Sequence, residues 1–122
     1  MLKTEPIKKN YEFNRVYKRG KFYVGKFLVL YVLPNHSDIN RLGITVSKKT
    51  GKSVERNRVR RLIRENYRLY EEFLKYGYDC VFVARSTEKL PCFQEIKREM
   101  KFLFKKINIF NQEKWDCLKS CL

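Results

Sequence analysis

At 122 residues, 43% of them apolar and 15% aromatic, the chain can build one domain around a real core and is not a disordered basic tail. Its formal net charge of +15 implies an anionic partner. The longest uninterrupted apolar run, residues 27–33, is far too short to span a membrane, and no apolar leader segment opens the sequence, so a cytoplasmic protein with no membrane partner is expected.

In chain order, Phe13, Val16 and Tyr17 share a face at i, i+3 and i+4, which predicts a short helix over 7–19 with Asn10 as its N-cap and Gly20 as its end. Residues 22–33 are β-branched and aromatic and predict a strand, with a break near Gly25. Turn residues fill 34–40. Residues 41–48 predict the next strand, antiparallel to the one before by hairpin logic. Ser53 is expected to cap a helix over 54–76, with Gly77 just past its C-terminus. Residues 78–85 predict a buried strand. Pro91 can open a last helix with an apolar stripe of Phe93, Ile96, Met100, Leu103, Phe104 and Ile107. The order α-β-β(-β)-α-β-α predicts one α+β domain, a sandwich of helices against a small sheet. Its core covers about 7–107, and a tail, 108–122, carries Trp115, Cys117 and Cys121.

The charge is concentrated. Residues 48–68 hold nine Lys or Arg against Glu55 and Glu65. On a helical wheel with Arg56 at 0°, Arg60, Arg64, Asn57, Arg68 and Arg61 fall between about 40° and 140°. Arg58 lies on the border at about 200°, and Leu69, Leu62, Val59, Tyr70, Ile63, Phe73 and Leu74 fall between about 220° and 360°. The simplest reading of a charged helix face is a solvated one, but such faces usually mix signs. Here Arg56, Arg60, Arg64 and Arg68 repeat at i,i+4, and each like-charge pair costs a few tenths of a kcal/mol, roughly. That arrangement points to nucleic acid, since guanidinium groups grip phosphate two oxygens at a time.

Other chemistry is poorly represented. Cys80, Cys92, Cys117 and Cys121 have no metal-ligand spacing, His36 is the only histidine, and free thiols are expected. No set of carboxylates or histidines suits phosphodiester hydrolysis, so neither a catalytic residue nor a metal site is assigned. Gly51-Lys52-Ser53 ends like a phosphate-binding loop, but Val46 stands where that motif needs glycine. A helix-turn-helix reader would need a helix, not a strand, before the arginine-rich one. A ribosomal or other structured-RNA-binding protein also fits this composition.

The run RLGITVSKKTGKSVERNRVRRLIRENY, residues 41–67, resembles the signature of the bacterial ribonuclease P protein component, whose hallmark is the box Arg56-Asn57-Arg58. Phe13-Asn14-Arg15-Val16-Tyr17 with Gly20, residues 27–31, and residues 78–85 extend the likeness over roughly 7–107. The resemblance implies a two-layer α/β sandwich with a left-handed βαβ crossover, similar to domain 2 of ribosomal protein S5. It implies removal of the 5′ leader from precursor tRNA, with magnesium and the chemistry in a catalytic RNA subunit. It implies two partners, that RNA and precursor tRNA, and no obligate protein partner. Lys52, Arg56, Asn57, Arg58, Arg60, Arg61, Arg64 and Arg68 would contact the catalytic RNA. A cleft between the first helix and the sheet would hold the single-stranded leader through Phe13, Tyr17, Tyr31, Ser47, Lys48, Lys49 and Arg85. Tyr17 stands where many family members have Phe, and its hydroxyl leaves stacking possible.

Overall fold

The computed structural model describes residues 4–111. The elements are β1 (Thr4–Pro6), α1 (Asn10–Arg19), β2 (Lys21–Val24), β3 (Leu28–Pro34), β4 (Asn40–Val46), α2 (Ser53–Tyr70), β5 (Tyr78–Ala84) and α3 (Phe93–Ile107), with 3-10 turns at Lys48–Thr50 and Glu71–Phe73. The five strands form one sheet in the order β1-β4-β5-β3-β2. β1, β4 and β5 run parallel, β3 is antiparallel to β5, and β2 is antiparallel to β3.

The expected antiparallel pairing of residues 22–33 with 41–48 is corrected here. β3 and β4 do not touch; β5 lies between them, from Leu28↔Ala84 on one side and Val46↔Ala84 on the other. The reason is burial. β5 is apolar on both faces, with Cys80 and Phe82 in one core cluster and Val81 in another, and such a strand belongs at the centre of a sheet. The connection β4-α2-β5 is therefore a parallel βαβ unit.

α2 and α3 cover one face. Val59, Ile63, Tyr67 and Tyr70 of α2 and Ile96, Met100, Leu103 and Phe104 of α3 are buried with Leu28, Leu30, Leu42, Cys80 and Phe82 of the sheet. Rings of Tyr70, Phe82, Phe104 and Phe110 meet edge-on or tilted at 5.5–6.0 Å, the arrangement their quadrupoles favour. α1 lies alone on the opposite face, where Ile7, Val16 and Val81 form a smaller cluster with Phe13, Tyr17, Tyr31, Leu33 and Val83.

Local signals are corrected in small ways. Lys9 and Lys52, not Asn10 and Ser53, occupy the N-cap positions of α1 and α2. Glu12 and Glu95 reach back to accept the Lys9 and Cys92 backbone N–H at 3.4 and 3.1 Å, closing the first turns of α1 and α3. α2 stops before residue 76 because Leu74 turns extended. The Lys75 N–H donates to Ile109 O, and the Asn111 N–H donates to Phe73 O, each at 2.8 Å. Ile109 and Phe110 are thereby buried, so the core runs past residue 107. Trp115, Cys117 and Cys121 lie outside the described residues. Among the described residues, no helix is long and apolar enough to cross a membrane.

Candidate nucleic-acid interface

β1 pairs with β4 only from Asn40 to Leu42, so Gly43–Val46 leave their outer edge open. α1, packed over β3 and β5, brings Phe13 and Tyr17 to that strand at Gly43 and Thr45, and α2 packs against β4 from the other face. Between them lies a groove of about 520 Å³, lined by Asn10, Phe13, Asn14 and Tyr17 of α1, Ile44, Thr45 and Val46 of β4, and Arg60 of α2.

The groove's aromatic wall is held in place from several directions. Phe13 and Tyr17 sit one turn apart with ring centroids 6.4 Å from each other. Tyr17 meets Tyr31 edge-on at 5.0 Å. The Tyr17 hydroxyl shares a 2.9 Å hydrogen bond with the Thr45 hydroxyl. The expected trio of rings is thus one contiguous group. Phe13 packs so close to Gly43 that a Cβ there would sit 2.5 Å from its Cε1, a contact glycine avoids.

α1 itself is tied down by ions. Arg41 of β4 donates to the Glu12 carboxylate, and this hydrogen bond is the first cause holding the Glu12 carboxyl below the usual carboxylate range. Asp79, fully buried at the start of β5, accepts from Arg15 of α1 at 3.5 Å and from the Asn35 amide at 3.0 Å. Arg41 approaches the same carboxylate at 3.8 Å. Glu12, Arg15, Arg41 and Asp79 were not singled out from the sequence. The alternating charges of Glu12 and Arg15 on a short helix were the available signal, but their partners lie 29 and 64 residues away.

α2 presents the cationic face, with one change to its outline. Tyr67 lies at about 20° on the wheel yet is fully buried, and its hydroxyl shares a 3.0 Å hydrogen bond with Thr4 of β1. Leu69, at about 220°, is 47% exposed. The buried arc is therefore rotated toward Arg56 and Arg60, both of which are half-buried. Arg56 donates to Ser53 Oγ at 3.0 Å and Arg60 to Asn57 Oδ1 at 3.1 Å. Arg60, expected to meet the catalytic RNA, is also among the residues that line the groove. Asn57, Arg58, Arg61, Arg64 and Arg68 are exposed, and Arg61 is loosely paired with Glu65 at 3.7 Å.

This combination, an arginine helix beside an aromatic groove on a mixed five-stranded sheet, has known counterparts. The family model for Ribonuclease P matches residues 1–108. The chain belongs to the ribonuclease P protein component family. It is 50% identical over 111 residues to the ribonuclease P protein component of Clostridium botulinum (strain Langeland), covering 90% of this chain and 100% of that protein. It is 50% identical over 108 residues to that of Clostridioides difficile (strain 630), covering 88% and 95%. The RNase P protein of Staphylococcus aureus superposes with a TM-score of 0.79 at 36% identity, over 87% of this chain and 97% of that one. That of Thermotoga maritima gives 0.72 at 26% identity, over 83% and 96%. The ribosomal-protein alternative gives way to this family.

The other expected ribonuclease P leader contacts gather at one end of the sheet. Val46 and Ala84 are in register, so Ser47, Lys48 and Lys49 leave β4 beside Arg85 leaving β5. All four are exposed. The Ser86 hydroxyl donates to Lys49 O at 3.2 Å and joins the two segments. Arg85 donates to Gly25 O at 2.8 Å, turning its guanidinium toward the β2-β3 connection and away from the groove lining. Lys52 is exposed at the start of α2. Cys80 is a core side chain, its thiol pushed up to about 12 by burial. Among the described residues, no group of three or more His, Cys, Asp or Glu side chains is placed to hold a metal ion.

Proposed function

We propose that this chain serves ribonuclease P by binding rather than by bond-breaking. The exposed arginines of α2 take the phosphates of the catalytic RNA, and the α1 groove takes the single-stranded 5′ leader of precursor tRNA. The observation that carries the reading is the groove, which two rings, one arginine and part of an open-edged strand line together. Single strands bind where aromatic faces meet unpaired bases and cations meet the backbone. Arg60 can neutralise a leader phosphate while its hydrogen bond to Asn57 restrains the guanidinium. Ser47, Lys48 and Lys49 extend the grip from the end of β4, and Arg85 sits beside them.

Magnesium, in this reading, belongs to the RNA subunit and supplies the Lewis acid for leader hydrolysis there. This chain's share is to place the leader.

The test is reconstitution. Purified protein alone leaves precursor tRNA intact, and addition of the cognate ribonuclease P RNA gives cleavage at the leader junction. Cleavage by the pure protein at a comparable turnover would overturn the assignment of chemistry to RNA. Phe13→Ala in the reconstituted enzyme weakens binding of leader-bearing substrate and leaves mature tRNA unaffected. Equal losses on both would remove the groove from leader binding.

A further inference from the structure

The stripe of rings on the α1 face continues past Tyr31. Phe22 of β2 stands opposite Tyr31 in the sheet register, and the two rings stack at 5.3 Å and 28°. Tyr31 also meets Tyr17 edge-on, at 69°. One face of Tyr31 is therefore taken by Phe22, and the outward face of the stack belongs to Phe22. That ring is 55% exposed, and β2 is an edge strand with no further strand paired to it among the described residues.

The sequence around Phe22 is cationic, although Arg15 is engaged by Asp79 and the Glu99 carboxylate is bound by the backbone N–H groups of Lys26, Phe27 and Leu28. No Asp or Glu occurs between Glu12 and Asp38, while Arg15, Lys18, Arg19, Lys21 and Lys26 fall in that stretch. α1 ends at Arg19 and the chain passes directly into β2, so Lys18 and Arg19 immediately precede the strand that carries Phe22. A large exposed ring on an unpaired edge is a liability unless something covers it. A nucleobase does so with π-stacking that is indifferent to sequence.

We infer that Phe22 is a further base-stacking position for the single-stranded leader. It takes a nucleotide beyond those held at Phe13 and Tyr17, so the leader crosses the sheet from the open edge of β4 to the edge strand β2. The inference rests on the groove being the leader site. The competing explanation is a cross-strand aromatic pair that only stiffens the β2-β3 hairpin.

Two variants separate these. Phe22→Leu keeps an apolar cross-strand partner for Tyr31 and removes the π-face. Phe22→Trp keeps and enlarges that face. Holoenzyme reconstituted with cognate RNA is titrated with precursor tRNAs whose leaders lengthen one nucleotide at a time, and with mature tRNA. Affinity is expected to climb with leader length. Phe22→Leu loses about tenfold at the last steps only, and Phe22→Trp retains them or binds more tightly. Phe13→Ala loses the earlier steps. If Phe22→Leu follows wild type at every length while Phe13→Ala does not, Phe22 is a hairpin residue and the inference fails with the groove intact. If neither variant departs from wild type, the groove reading fails and the inference with it. Equal loss by Phe22→Leu on mature tRNA, or loss by Phe22→Trp as large as by Phe22→Leu, also overturns it.

Discussion

The outer face of α2 and the groove under α1, proposed to meet the same kind of polymer, would do so by different physics. Arg58, Arg61, Arg64 and Arg68 are exposed on long flexible stems, with a single loose ion pair among the described residues, Arg61–Glu65, at 3.7 Å. Such an array releases counterions from any phosphate backbone and adapts to its shape, but salt screens it. Phe13, Tyr17 and Tyr31 are the reverse. They are half-buried, locked by one another, by the Tyr17–Thr45 hydrogen bond and by the glycine beneath Phe13. Rigid rings select for unpaired bases and lose little freedom on binding. In the proposed reading, the difference teaches that charge supplies strength, and preorganised shape supplies the choice of single strand over duplex.

The largest effect should come from the charged region. Arg64→Ala with Arg68→Ala is expected to weaken binding to the cognate RNA by one to two orders of magnitude, roughly, and to flatten the log–log salt slope by about two units. Filter binding across a potassium chloride series measures both. An unchanged slope would break the comparison, because this face would then carry no phosphate contacts.

Next is the anchoring of α1. Asp79→Asn removes the buried charge shared by Arg15 and Arg41 and should cost about 2 kcal/mol, discounted from a fully buried pair because Arg15 is 44% exposed. Urea unfolding reads the loss, and leader affinity should fall with it. Full stability in this variant would mean that α1 is held without Asp79, by its apolar contacts and the Arg41–Glu12 pair.

Gly43→Ala is a finer probe, since the new Cβ would displace Phe13 without touching a charge. Leader-dependent affinity should drop about tenfold with the salt slope unchanged. A changed slope would show that ring and charge are not separable.

The smallest effects concern pH. Glu12 has its folded pKa lowered by Arg41, so its stabilisation is present above the ordinary value of 4.5 and is lost as pH falls through the lower folded value. Glu12→Gln should flatten the acid limb of a stability profile. Cys80 behaves oppositely. Its folded pKa, raised from 9.0 to about 12, makes its contribution complete below pH 9 and lost between pH 9 and 12. Cys80→Ala should reduce the slope there, in urea melts against pH, while lowering stability overall through the cavity it leaves.

Much of this protein was written in one dimension. The 3.6-residue repeat of Phe13, Val16 and Tyr17 and the stripe from Ile96 to Phe104 specified helices, because each period needs only its own neighbours. The arginine box also declared its chemistry, since like charges at i,i+4 have no local reason to exist. Neighbours distant in sequence were not legible. β5 was recognisable as a doubly buried strand, yet its place between β3 and β4 follows only when helices cover both faces. The wheel put Tyr67 beside the cations, and a hydroxyl partner on β1 brought it inside. Arg60 read as one of several equivalent arginines until the open edge of β4 gave it a groove to line. Period and charge are properties of a segment, and the sequence determines them by itself. Which face a residue turns to a partner 30 or 60 positions away depends on how segments pack, and that only the tertiary structure decided.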